Sequence, residues 1–355
     1  MNNLYNLFTC SQEYSNDFPD KFGRARFYNT HNKTIFSPVV SEEICSKGLK
    51  PYYPDGKEFA VCISHDIDHL YLHQSSPRKM VNFSKELARG RFNRSMGHLK
   101  SIVRDRIYKD YDLQKLIEIN NRYNIHSTYY FLSLESDEED YNYSPDQIQD
   151  QFKYVLENNN EIGLHGGHIA YSNLEKLNQE KQLLEKYTGA SMVGYRNHYL
   201  RFEIPATWRN LEKSGFLYDT TLGYVDCAGF RNGMCYPFYP FDIEKNKFLN
   251  IIELPLIIMD VTLFYYMRLD ASIAFKICKQ LIESVKACKG VLTLLWHNNF
   301  LTGEMGAFYL QLLDYLKSED PWFTTSNELV TWWKKEKLLE QSQEILGALI
   351  KNNKE

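Results

Sequence analysis

The sequence predicts an α/β protein built from repeated parallel β/α units. Two observations carry this. From residue 58 onward, short apolar strand-like runs alternate with longer amphipathic segments. The side chains able to do chemistry gather where those runs end, which is where parallel β/α folds place functional residues.

The 355 residues are enough to bury a substantial core, as one large domain or two small ones. Hydrophobic content of 43% and charged content of 24% are ordinary for a globular protein. A formal net charge of -4 argues against a general nucleic-acid binder. The 26 tyrosines and 21 phenylalanines suit sugar stacking as well as core packing. No run reaches the 18 or so apolar residues of a spanning helix. The nearest, residues 248–267, is interrupted by Asn250, Glu253, Pro255 and Asp260. The N-terminus lacks the basic start and apolar core of a signal peptide. The seven cysteines are scattered, with no Cys-x-x-Cys pair, which fits reduced thiols and a cytoplasmic setting.

Residues 1–57 are polar, tyrosine-rich and weakly periodic, and read as an N-terminal extension. The first strand is "FAVCIS" (59–64). Residues 71–110 then form a basic insertion with ten Lys or Arg against three Asp or Glu. It reads either as a solvated basic helix pair or as a peripheral contact surface for an anionic glycan, lipid headgroup or membrane face. A helical pattern over 111–123 leads into the second strand, "STYYFLSL" (127–134). "EIGLH" (161–165) is the third strand, and the helix after it stops at Gly189. "MVGYR" (192–196) is followed by a helix that starts at Pro205 and ends at Gly215. "NIIELPL" (250–256), "GVLTLLWH" (290–297) and "WFTT" (322–325) complete the strands. Residues 336–355 read as a C-terminal helical tail.

The strand ends supply the chemistry. The first carries His65, Asp66, Asp68 and His69; the third, His165 and His168; the fourth, Arg196, Asn197 and His198. Asp219 lies in "GFLYDTTLGY", and His297 ends a late apolar strand. Six of the ten histidines stand at such ends, too many to read as packing alone. A histidine pair with a carboxylate from another strand makes a three-ligand metal site with open positions. Of two aspartates on one loop, one can bind the cation and the other act as a general base. His297 can serve as an acid or as a buried neutral histidine. Arg196 either orients the base, contacts substrate or forms a structural ion pair. Asp219 either orients His297 or caps a turn.

In this order the motifs resemble those of the NodB-type polysaccharide deacetylases, carbohydrate esterase family four, over about residues 58–333. "SHDID" sits at the family's Asp-Asp motif, "STYYFL" at its second strand, and "EIGLHGGH" at its His-x-x-x-His motif. "YRNHY" sits at its Arg-Pro-Pro motif, "YDTT" at its fourth motif, and "LLWH" at its final Leu-x-His. The pattern is most similar to a divergent His-Asp-x-Asp branch.

The resemblance implies a distorted (β/α)₇ barrel of the polysaccharide deacetylase type over 58–335. It implies hydrolysis of an N-acetyl or similar N-acyl group on a carbohydrate, in bacterial surface polysaccharide biosynthesis. One divalent ion is implied, zinc foremost, with cobalt, nickel or iron also suited. Asp66 would be the base, Asp68, His165 and His168 the metal ligands, and His297 the acid. Arg196 would position the base and Asp219 would support His297. The motifs depart from the family's spacing, so Asp66 and Asp68 are open to exchange, and His65 or His69 can replace His168. His198 falls on the substrate side. The loop 229–242 either covers the sugar site, with Arg231 and Tyr239 as contacts, or packs on the barrel for stability. The alternative is a barrel without activity that serves as a glycan-binding or scaffold protein.

Overall fold

The computed structural model describes residues 2–14, 19–30, 32–70, 84, 113–134 and 143–352. The basic insertion expected over 71–110 lies outside the described residues, Ser84 apart. The strands are β1 (Ala60–Ile67), β2 (Thr128–Leu132), β3 (Glu161–Gly166), β4 (Gly194–Asn197) and β5 (Tyr218–Asp219). They continue as β6 (Phe241–Asp242), β7 (Lys247–Phe248), β8 (Ile252–Glu253), β9 (Ile258–Met259), β10 (Val291–Leu295) and β11 (Trp322–Phe323). Nine of them form one sheet in the order β8-β5-β4-β3-β2-β1-β10-β9, with β11 paired to β1. Every pairing in it is parallel.

The sheet curls into a half-barrel, the distorted barrel that the sequence predicts. Its edge strands β8 and β9 are joined through residues 254–257 rather than by pairing. The run read as a strand over 250–256 forms a ladder only at β8, and β9 begins two residues beyond it. Pro255 lacks the N–H that a continuous ladder needs, and its carbonyl accepts instead from the Thr293 hydroxyl. Strand β1 is buried along its whole length, as a central parallel strand covered on both faces must be. Residues 60–61 of β1 pair with β11, and residues 64–67 pair with β2.

Helices form where the apolar spacing places them. Residues 113–122 bury Leu113, Leu116, Ile117 and Ile119. The helix Leu174–Thr188 is capped by the Asn173 side chain and stops at Gly189, which takes φ 69°. In the N-terminal segment, helices Asn2–Phe8 and Val39–Ser46 add Phe8, Val40 and Ile44 to the main core. The C-terminal helix Leu338–Asn352 adds Leu339, Leu346 and Ile350 to the same core.

Inside the half-barrel, tyrosine rings lie over glycines of the neighbouring strand. Tyr130 covers Gly163, Tyr195 covers Gly166 and Tyr218 covers Gly194. A methyl group at any of these glycines would fall inside the van der Waals envelope of the ring. The tyrosine hydroxyls are not wasted: Tyr218 donates to Glu161 Oε1 at 2.6 Å, and Thr220 Oγ1 lies 3.2 Å from the Tyr130 hydroxyl. Gly194→Ala is expected to lower the free energy of unfolding by about 1–3 kcal/mol, as overpacking does. Chemical denaturation checks this, and Gly189→Asn, on the open surface, serves as the tolerated control.

Candidate active site

Because the sheet is parallel, its strands deliver their C-terminal ends to one side. Asp66 and Asp68 close β1, His165 stands near the end of β3, and Arg196 near the end of β4. His198 follows β4 directly, Asp260 follows β9, and His297 lies two residues past β10. These ends face one pocket of about 150 Å³, lined among others by Asp66, Asp68, His165, His198 and His297.

Three ligand-type atoms converge there. Asp68 Oδ1 lies 3.2 Å from His165 Nε2 and 3.3 Å from His198 Nδ1. The two ring nitrogens are 3.1 Å apart. Nδ1 of His165 lies 3.0 Å from the Arg196 carbonyl, to which only an N–H can bond. Nε2 therefore turns a lone pair toward the carboxylate, and Asp68 Oδ1 is a buried oxygen whose nearest polar neighbours are these two rings. The 3.1 Å contact between the two ring nitrogens takes a proton on His198 Nδ1, and a cation held by all three atoms would take that proton's place. The geometry fits: ligands at roughly 2.0–2.1 Å around tetrahedral zinc stand about 3.3 Å apart. Asp68, His165 and His198 form the group of possible metal ligands among the described residues. Burial opposes the Asp68 charge, but the neighbouring His198 and His165 overcome it and hold the carboxyl well below the usual range.

Asp66 is held differently. Its Oδ1 accepts from Arg196 Nη1 at 2.9 Å, and its Oδ2 lies 3.7 Å from His165 Nε2. Arg196 is itself buried, donates to Ser64 Oγ at 2.8 Å, and lies over the Tyr130 ring at 4.5 Å. Across the pocket, His297 Nδ1 is 2.7 Å from Asp260 Oδ1, and its Nε2 is 3.8 Å from Asp68 Oδ2. Burial disfavours the charged ring, but Asp260, then Asp68 and Asp66, lift it to about 10. His297 thus carries its proton at neutral pH.

Several expectations change here. His168 is not in the ligand group. It lies past the end of β3, with its ring parallel to that of His198 at 5.4 Å between centroids, and His198 takes the place at the triangle. Asp219 does not reach His297. It accepts from Thr221 at 2.6 Å and pairs with Glu253, whose carboxyl burial and Asp219 push well above the usual range. Asp260 supports His297 instead. The sequence reading has no strand at Ile258–Met259, so nothing marks Asp260 as a strand end.

The loop 229–242 packs along the barrel and reaches the end away from the pocket at residues 235–236. Its Cys235 carbonyl pairs with Val291 N at the start of β10, and Tyr236 bonds to Cys288. Arg231 there is buried against Glu13 and bonds the Gly223 carbonyl at 3.0 Å, and Tyr239 packs on the core. Neither lines the pocket. His69 gives its carbonyl to Asn298 Nδ2 and stays out of the ligand group.

His65 is a latch. Its Nδ1–H donates to the Trp296 carbonyl at 2.7 Å, and its Nε2 accepts from Asn120 Nδ2 at 2.9 Å. The bond from Asn120 needs the neutral ring, and burial pushes it down to about 4.

No family model and no curated protein matches the sequence. Solved structures do. A candidate polysaccharide deacetylase from Mycobacterium smegmatis is 16% identical, with a TM-score of 0.55 over 82% of this chain and 95% of that one. A polysaccharide deacetylase from Bacillus cereus is 11% identical, with a TM-score of 0.39 over 75% and 91% of the two chains. A family 4 acetyl xylan esterase from Clostridium thermocellum, solved with a cobalt ion, is 14% identical, with a TM-score of 0.36 over 77% and 91%. The first of these likenesses shows that this chain has the polysaccharide deacetylase fold. No helix among the described residues is long and apolar enough to cross a membrane.

Two outcomes are expected. His198→Ala abolishes zinc or cobalt uptake while His168→Ala retains it, as metal analysis of the purified variants will read. Between pH 6.5 and about 4 the unfolded chain takes up a proton at residue 65 that the folded chain refuses. The neutral latch therefore stabilises fully above pH 6.5 and is lost as pH falls toward 4. Denaturation at several pH values should show the advantage of wild type over His65→Gln shrinking by about 3 kcal/mol across that window.

Proposed function

We propose that this chain is a metal-dependent hydrolase that removes an N-acetyl or similar N-acyl group from a carbohydrate, in the making of a bacterial surface polysaccharide. The observation that carries this is the arrangement around one pocket. Three converging ligand-type atoms are flanked by an arginine-held carboxylate on one side and a protonated histidine on the other. Asp68, His165 and His198 would hold the cation, zinc foremost. The ion supplies Lewis acidity, polarising an amide carbonyl and acidifying a water.

The chain's own residues supply the rest. Asp66, kept in place by Arg196, takes the proton that the attacking water gives up. His297 Nε2 holds its proton toward the pocket and delivers it to the departing amine nitrogen as the C–N bond breaks. Asp260 orients that ring and sustains its charge. This assigns the base to Asp66 and the ligand role to Asp68: one carboxylate meets a guanidinium, the other two imidazoles.

The pocket size supports a small acyl group. About 150 Å³ is a benzene-sized space, so the acyl end and reacting carbon enter while the rest of a glycan stays outside. Tyr266 and Phe300 at the pocket offer ring faces to a sugar.

Asp66→Asn is expected to cut kcat about 10²- to 10⁴-fold while leaving bound metal unchanged. Acetate release from a panel of N-acetylated oligosaccharides, with metal content measured alongside, reads this. A purified protein that holds no divalent ion and takes up neither zinc nor cobalt would overturn the proposal.

A further inference from the structure

The backbone that presents His198 is strained, and what restrains it comes from far away in the sequence. Tyr199 and Leu200 both take left-handed angles, φ 60° and 53°, although neither is glycine. Arg24 Nη1 donates to the Tyr199 carbonyl at 2.7 Å. Arg24 is only 3% exposed, and Asp20 neutralises it: Oδ2 accepts from Nε at 2.8 Å and Oδ1 accepts from the Arg24 backbone N–H at 3.1 Å. Its Nη2 lies 3.3 Å from the Tyr266 hydroxyl. Phe22 stacks on the Tyr199 ring, with centroids 4.9 Å apart and planes 9° from parallel. Tyr199 in turn presses on the His198 ring at 4.1 Å.

From these contacts we infer that residues 20–24 are a clamp, with Arg24 a positioning residue for His198. The clamp acts on the ligand through the loop, not on substrate. Removing the guanidinium leaves a buried carbonyl without its donor and the Asp20 charge without its partner. The loop then relaxes toward ordinary angles, and Nδ1 of His198 leaves the triangle. This rests on the metal reading proposed above.

The test uses the full chain. Zinc affinity is measured by competition with a chromogenic chelator, and cobalt geometry by the visible absorption of the cobalt-loaded protein. Arg24→Ala is expected to weaken zinc binding about 10- to 100-fold, as loss of an outer supporting contact does, and to change the cobalt spectrum. Arg24→Lys keeps a donor for the Tyr199 carbonyl and should recover part of the affinity. Arg26→Ala, which alters an outward-facing pair with Asp226, should match wild type. If Arg24→Ala fails to fold, Phe22→Ala, which removes the stacking alone, is read in its place with the same direction of change. Wild-type zinc affinity and cobalt spectrum in the variant would overturn the clamp while leaving the metal reading intact. A wild type that binds neither metal would overturn both.

Discussion

A single guanidinium at the centre of the barrel organises the site. Arg196 bonds Ser64 and Asp66 of β1, reaches the Thr220 carbonyl beyond β5, and covers the Tyr130 ring of β2. Its own carbonyl fixes the tautomer of His165. One residue therefore holds the proposed base by its side chain and a proposed ligand by its backbone. Buried at both ends, the pair with Asp66 cannot lose one member cheaply. Breaking such a pair costs about 3–5 kcal/mol, because the remaining charge stays out of water. The fold and the chemistry share this constraint.

The site divides its carboxylates by environment. Asp68 faces two imidazoles, Asp66 a guanidinium, and Asp260 the far side of His297. The side chains are of one type, and their neighbours decide which binds, which accepts a proton and which sustains a positive ring. Asp219 and Glu253 lie deep in the sheet with no cation so close, and burial raises both carboxyls above the usual range.

Much of the fold was legible because parallel strands announce themselves as short apolar runs with chemistry at their ends. β1, β3 and β10 lie close to where the apolar runs put them. The runs fail at two of the large sheet's two-residue strands. β5 and β9 have too few residues to show any period, so Asp260 went unseen. Ligand choice between His168 and His198 depends on which side chain turns inward after a strand ends, and spacing does not record that. Arg231 and Tyr239 stood in a loop rich in glycine and aromatics, a composition that suits a lid and a barrel floor equally. Arg24 gave no signal at all, because its partner is a backbone carbonyl 175 positions away.

The position of β1 in the sheet has a consequence for the order of assembly. It is the first strand of the sheet to be made, yet it lies between β2 and β10. On a ribosome, its second edge stays without its partner until residues 291–295 have emerged. Until then a strand built for the interior exposes a pairing edge, the surface on which nascent chains aggregate. The same wait protects the site. His297 comes after β10, so no partial chain can bring together the donors on both sides of the pocket. The functional pocket closes near the end of synthesis, in the step that also shields the most vulnerable edge.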